Sequence, residues 1–325
     1  MTELDAVIEG TGHFLPSNVI DNTHFESFLD TSDEWIQSRT GIRTRCFAAE
    51  NETTSDLAIA ACAEAMKNAG AGPEDIDLIV LATSTPDYTF PATATLVQNA
   101  LGIRQGFAFD IQAVCSGFVF ALASASSFLQ TGAATRALVV GAETFSRILD
   151  WKDRSTCILF GDGAGAVVLA AQPRGKSQPR RGILASDVKS DGRYRELLYV
   201  NGGVSKTGTV GHLTMKGKEV FRHAVSKLAV STNAALDQAG LTTSDVDWVV
   251  PHQANVRILN ALMSRLGLEN EKLVSTVATQ GNTSAASIPL ALSMANSKNL
   301  FQDGDIVVSQ AIGGGFAWGT CVMRW

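Results

Sequence analysis

The chain has 325 residues, 45% of them apolar and 18% charged, with a formal net charge of −6. That length exceeds one ordinary core and suits two domain-sized halves, and the apolar share excludes disorder over most of the chain. The acidic balance excludes a general nucleic-acid binder but leaves room for a local basic face.

The start, Met1-Thr-Glu-Leu-Asp5, lacks a basic region followed by an apolar run, so no signal peptide is expected. The five cysteines (Cys46, Cys62, Cys115, Cys157, Cys321) show no CxxC spacing, and the five histidines do not cluster with them. Neither a disulfide framework nor a metal site is expected, and the expected compartment is the reducing cytoplasm.

Residues 65–80, AMKNAGAGPEDIDLIV, predict a helix closing at Gly70, a short loop and a buried strand. Phe107-Ala-Phe-Asp-Ile111 predicts another strand, and Phe118 to Leu129 a helix. Residues 111–135 carry no charge, yet they hold many Ser, Thr, Gln and Gly residues. That content argues against a membrane span and for a helix at the centre of a large protein. Ala137-Leu-Val-Val140 reads as the strand that follows. Gly161-Asp-Gly-Ala-Gly165 lacks GxGxxG spacing and runs into Ala166-Val-Val-Leu169, which predicts a strand–turn–strand and not a nucleotide loop.

After a polar, basic connection at Gln172–Arg181, the same units return. Residues 235–250, ALDQAGLTTSDVDWVV, repeat 65–80 at an offset of 170, with Ala65/Ala235, Gly70/Gly240, Asp75/Asp245 and Val80/Val250 identical. A second uncharged stretch, 273–297, precedes a second strand-like run, Ile306-Val-Val308. Chance similarity of two helix–Gly–strand units is one account; duplication explains more, because the uncharged helices recur in the same order. The expectation is an α/β chain of two similar halves, 1–172 and 173–325.

Cys115 lies between a strand and a helix, where the positive helix end would lower its pKa and favour a nucleophilic thiolate. A buried, inert Cys is the commoner reading of such a position. The repeat puts Asn282, in Gln280-Gly-Asn-Thr-Ser-Ala-Ala-Ser287, close to the place of Cys115, 167 residues on. A turn or N-cap role is the alternative for this Asn. His252 follows the carboxyl end of the buried run Trp248-Val-Val-Pro251, where open α/β sheets place ligands. Together the three suggest a nucleophile with two donors to a carbonyl oxygen. Gly313-Gly-Gly-Phe316 would let backbone approach a reacting group, or is a plain turn.

Ala113-Val-Cys-Ser-Gly117, Pro251-His-Gln-Ala-Asn255, Gly281-Asn-Thr-Ser-Ala285, Gly313-Gly-Gly-Phe-Ala-Trp-Gly319 and Thr31-Ser-Asp-Glu-Trp-Ile-Gln-Ser-Arg-Thr-Gly-Ile-Arg43 resemble β-ketoacyl-acyl carrier protein synthase III, in order and over nearly the whole chain. The resemblance implies the thiolase fold, two βαβαβαββ halves in a five-layered αβαβα sandwich, and a homodimer. It implies Cys115 as the nucleophile that takes an acyl group from acyl-CoA. His252 and Asn282 match the pair that stabilises the enolate formed by decarboxylation of malonyl-acyl carrier protein. The N–H groups of Cys115 and Gly314 match the oxyanion hole. Thr31, Trp35, Arg39, Arg154, Gly217 and Asn255 match CoA contacts, and Phe90, Phe160 and Phe316 the acyl pocket. Arg222, Arg257 and Arg265 resemble a face that docks the acidic carrier protein. Acyl-CoA is then a substrate, and no cofactor, metal, nucleic acid or membrane is implied. Ala317 departs from the Thr or Ser usual after GGGF, and Trp325 ends a chain that often ends in Phe. A same-fold synthase of a quinolone or polyketide product, and a non-catalytic acyl-binding scaffold, are the rival readings.

Overall fold

The computed structural model describes residues 3–175 and 179–325, so residues 176–178 of the polar connection lie outside the described residues. The first half runs β1 (Leu4–Phe14), β2 (Asn18–Asp21), α1 (Thr23–Glu26), α2 (Asp33–Thr40), β3 (Thr44–Phe47), α3 (Thr54–Ala69), β4 (Leu78–Ala82), α4 (Thr93–Ala100), β5 (Phe107–Ile111), α5 (Gly117–Gln130), β6 (Arg136–Glu143) and β7 (Gly163–Pro173). The second runs β8 (Gly182–Ser190), β9 (Leu198–Val200), β10 (Leu213–Met215), α6 (Gly217–Ala239), β11 (Trp248–Pro251), α7 (Val256–Leu266), α8 (Val277–Gln280), α9 (Ser287–Ser297), β12 (Ile306–Gly313) and β13 (Ala317–Arg324).

Two sheets carry the fold. One has the order β1-β7-β6-β4-β5, the other β8-β13-β12-β11. Strand for strand the orders correspond, and so do the directions: β4–β6 and β11–β12 are parallel, and the other matched neighbours antiparallel. β4 and β11, and β6 and β12, begin 170 residues apart, as the repeat predicts. α3 and α6 both end on a left-handed glycine, Gly70 at φ 63° and Gly240 at φ 71°, which caps the last turn without a Cβ penalty. This is the thiolase-like α/β arrangement.

The layers follow from which faces are apolar. α3 and α4 cover the outer face of the first sheet through Leu57, Ala61, Ala94 and Val97. α6 and α7 cover the outer face of the second through Ala235, Leu236 and Met263. Between the sheets lie α5 and α9, the helices of the two uncharged stretches. Phe118, Leu122, Ala125, Leu129, Ala291 and Leu292 are buried there against both sheets. Apart from their C-terminal turns, where Ser127, Gln130 and Ser297 reach water, these helices are enclosed, so neither keeps a charged face. Truncating Leu122 or Leu292 to Ala would cost about 2–5 kcal/mol by loss of packing.

The glycine run 161–165 leads into β7, but its upstream side is a single bridge between Phe160 and Asn282 and not a strand. The expected strand–turn–strand is thus only half formed. Asp162 holds the loop instead, its carboxylate accepting from the Ala48 and Ser146 N–H groups, both at 2.8 Å.

Candidate active site

β5 ends at Ile111, and a tight turn over Val114–Ser116 delivers the chain into α5. Val114 takes a left-handed φ of 50°, rare for a β-branched residue, and thereby sets the position of Cys115 at the helix start. The Ser116 hydroxyl bonds the Ala113 and Ala317 carbonyls at 2.7 and 3.0 Å, tying this turn to β13. Gly313 passes so close that a Cβ on it would lie 2.7 Å from the Cys115 nitrogen. Only glycine fits there.

Cys115, His252 and Asn282 line one cleft of about 630 Å³. Burial pushes the Cys115 thiol up to about 12. The expected lowering by the helix end is therefore outweighed by the loss of solvent, and the resting group is a thiol. Burial also raises Cys46, Cys62, Cys157 and Cys321. What distinguishes Cys115 is its place on the cleft beside two hydrogen-bond donors.

His252 leaves the end of β11 with its N–H bonded to the Gln310 carbonyl at 2.8 Å. Its Nδ1 lies 2.7 Å from the Ser287 hydroxyl, which accepts the Gln253 N–H at 3.3 Å. We assign the Ser287 hydroxyl as donor to Nδ1, which puts the ring proton on Nε2, the tautomer that offers a donor. Burial lowers the imidazole to about 3, so the ring is neutral in any physiological range. Gln253 pins the same loop, donating to the Pro251 and Val274 carbonyls and accepting from Thr276 and Val277. Asn282 accepts the Ser284 N–H on Oδ1 at 2.9 Å, which leaves its NH2 as the free end. A buried thiol beside two neutral N–H donors can bind a thioester and stabilise charge on its oxygen.

The structure corrects the pairing of Asn282 with Cys115. The turn Ser284–Ala286 matches Val114–Ser116 at the offset of 170, and Ser284 shares the left-handed φ, at 49°. The counterpart of Cys115 is Ala285. Asn282 lies three residues upstream, in the loop held by the bridge to Phe160.

Nearer the mouth, Trp35 on α2 is flanked by two cations: the Arg154 guanidinium is 4.9 Å and that of Arg39 5.5 Å from its ring centre. Trp35, Arg39, Gly217, Asn255 and Arg257 line the cleft with Phe160. Asn255 also caps α7, accepting the Arg257 N–H at 2.8 Å, and donates to the Arg39 carbonyl at 3.3 Å. α2 is thereby tethered to α7. Arg154 bonds Asp30 at the edge of this region. Thr31, Arg222 and Arg265 do not line the cleft, the two arginines being exposed on α6 and α7. Gly314 lines a second cavity, of about 1030 Å³, rather than the first. Phe316 lines neither; it is fully buried, with its ring stacked on Tyr194 at 5.5 Å. Phe90 is 83% exposed.

Sequence reasoning passed over Ser284, Ser287 and Gln253. All three flank Asn282 or His252 within the quoted motifs, which was the available signal.

Residues 109–192 match the family model for 3-oxoacyl-[acyl-carrier-protein (ACP)] synthase III, and residues 236–325 match that for its C-terminal part. The β-ketoacyl-[acyl-carrier-protein] synthase III of Paracoccus denitrificans is 60% identical, the match covering 98% of this chain and 99% of that protein. The crystal structure of 3-oxoacyl-[acyl-carrier-protein] synthase III from Aquifex aeolicus superposes with a TM-score of 0.92 at 45% identity, over 98% of this chain and 100% of the other. The priming β-ketosynthase of the R1128 polyketide pathway superposes at 0.93 with 32% identity, over 99% and 97%.

Proposed function

The chain belongs to the β-ketoacyl-[acyl-carrier-protein] synthase III family, and from that premise we propose how its residues divide the work. The enzyme is an acyltransferase that condenses an acyl-CoA primer with malonyl-acyl carrier protein and so starts fatty-acid synthesis. The observation that carries the residue assignment is the convergence of a thiol and two neutral donors, Cys115, His252 and Asn282, on one cleft.

In the first step the Cys115 sulfur attacks the acyl-CoA carbonyl and CoA leaves. In the second, His252 Nε2–H and the Asn282 NH2 hold the malonyl thioester oxygen while CO2 departs. The resulting carbanion attacks the Cys115 thioester, releasing the 3-oxoacyl chain on the carrier protein. Both steps develop charge on a thioester oxygen, so donors fixed beforehand favour the transition state over the ground state. The Cys115 and Gly314 N–H groups are the proposed donors to the first oxyanion; although Gly314 lines the second cavity, its neighbour Gly313 packs directly on the Cys115 nitrogen. Acetyl-CoA is the proposed primer.

Trp35 and its flanking cations, Arg39 and Arg154, suit an adenine ring and phosphates, with Thr31, Gly217 and Asn255 along the arm. Phe160 and a partner's Phe90 are the proposed acyl-pocket residues; Phe316, expected among them, is buried against Tyr194 away from both cavities and backs the glycine loop instead. The exposure of Phe90 and an apolar second cavity lined by Tyr88, Val204 and Val210 support a homodimer that covers them. Arg222, Arg257 and Arg265 form the proposed docking face for the carrier protein. The two domains are read as 1–172, carrying the nucleophile, and 173–325, carrying His252 and Asn282. No cofactor is required in this scheme. Among the described residues no helix is long and apolar enough to cross a membrane. The proposed location is the cytoplasm.

The test is direct. Purified protein given acetyl-CoA and then malonyl-carrier protein should yield acetoacetyl-carrier protein by intact mass, in a cofactor-free buffer. A product of any other chain type would favour the quinolone or polyketide rival. Trp35→Ala should raise the KM for acetyl-CoA about tenfold with kcat little changed, because stacking on the nucleotide binds ground and transition states alike.

A further inference from the structure

Glu143, the last residue of β6, is fully buried and has no role in the scheme above. Its carboxylate accepts the Thr85 hydroxyl at 2.7 Å and the Ser84 N–H at 3.1 Å. The repeat explains its location. Glu143 occupies the place of Gly313, 170 residues on, which packs on the Cys115 turn; Glu143 faces the matching turn at Ser284. Gly141 permits this, since a Cβ on it would lie 2.3 Å from the Ala285 carbonyl oxygen. Ser284 is itself fully buried, sits at a left-handed φ, and its hydroxyl has no well-formed hydrogen bond at rest. Its turn packs on both neighbours: a Cβ on Gly117, two residues past Cys115, would lie 3.5 Å from Ala285 Cβ, and Gly141, two residues before Glu143, lies against the Ala285 carbonyl. Burial raises both the Cys115 thiol and the Glu143 carboxyl, and the Ser284 hydroxyl between them lowers both.

We propose that Ser284 and Glu143 are the proton path of the nucleophile, with Ser284 as the link from the Cys115 sulfur and Glu143 acting through Ser284. This rests on Cys115 being the nucleophile. As the sulfur bonds to the acyl carbonyl carbon, its proton passes to the Ser284 oxygen and the Ser284 proton to the Glu143 carboxylate. When the carbon–sulfur bond to CoA breaks, the proton returns along the same path to the departing sulfur, so none is gained or lost overall. Burial raises Glu143 to about 7 and the thiol to about 12, so the proton moves with the attack and no thiolate stands beforehand. Of the ionisable groups, Cys115 is the one whose electrostatics couple to this carboxylate. No Lys, Arg or His among the described residues bonds it.

The test is the rate of Cys115 acylation by acetyl-CoA, followed by quench and intact mass across the pH range. Wild type should speed up as pH rises through about 7, where the carboxylate becomes available. E143Q, an isostere, and S284A should each acylate roughly 100-fold more slowly at pH 8, as expected for loss of general acid–base help, and without that rise. The double variant should be no slower than either single one, because the two act as a unit. Should E143Q not fold, S284A decides alone. A wild-type rate and pH rise in a folded variant overturns the path and leaves Cys115 as nucleophile. Absence of any adduct in wild type overturns the nucleophile itself.

Discussion

Cys115→Ala is expected to form no acyl adduct with acetyl-CoA and to make no condensation product, while keeping the wild-type melting temperature within a few degrees. The thiol is 5% exposed, on the wall of the cleft, and makes no strong hydrogen bond, so its removal leaves only a small space. The cost in packing is on the order of 1 kcal/mol for one sulfur, whereas the chemical loss is total because no second nucleophile lines the cleft near His252 and Asn282. Ser155 is a hydroxyl on the same cleft, but its partner is the Asp153 carboxylate, to which it donates at 2.6 Å and which, held below the usual carboxylate range, is too weak a base to make it a nucleophile. Intact mass after acetyl-CoA treatment checks the result. An adduct of wild-type yield in Cys115→Ala would move the nucleophile elsewhere.

The large-scale plan was legible because its signals are local. A glycine at the end of each repeated helix, an Asp-x-Asp ahead of each repeated strand and the two uncharged stretches all reflect what a few neighbouring residues do. The motif residues that meet in the cleft were legible through the family resemblance. Less legible was whatever depends on closeness across the chain. Glu143 reads as an ordinary strand end, and only the approach of the Ser284 turn, about 140 residues on, brings it near the thiol. Nothing in the sequence around Arg45 marks it for burial. Yet it is wholly buried behind the Asn282 loop, donating to the Ile158 carbonyl at 2.6 Å and Asn22 Oδ1 at 2.8 Å, with its guanidinium over Phe25. The near-match of Asn282 to Cys115 misled for a related reason. A repeat aligned by residue type places the two functional groups together, whereas the backbone pairs the turns and puts Asn282 in the loop before.

His252→Ala and Asn282→Ala are each expected to lower decarboxylation of malonyl-carrier protein about 10²–10³-fold, the usual cost of one preorganised donor to a developing oxyanion. Acylation of Cys115 should fall far less. The reason is directional. Ser287 holds the ring proton of His252 on Nε2, and the Ser284 N–H turns the Asn282 amide so that its NH2 is free. Both are therefore donors with no competing acceptor role, suited to an enolate oxygen and to nothing that removes a proton from sulfur. Because burial keeps the imidazole at about 3, His252 stays neutral across roughly pH 5 to 8, and its contribution to decarboxylation should not vary there. The sign matters: an imidazolium donor would strengthen the step as pH falls through about 6.5, and a neutral one does not. The measurement is the release of CO2 from malonyl-carrier protein, compared at several pH values with the acylation rate from acetyl-CoA. Equal losses in the two half-reactions would contradict the division of labour. A decarboxylation rate that climbs steadily toward acid would contradict the neutral ring.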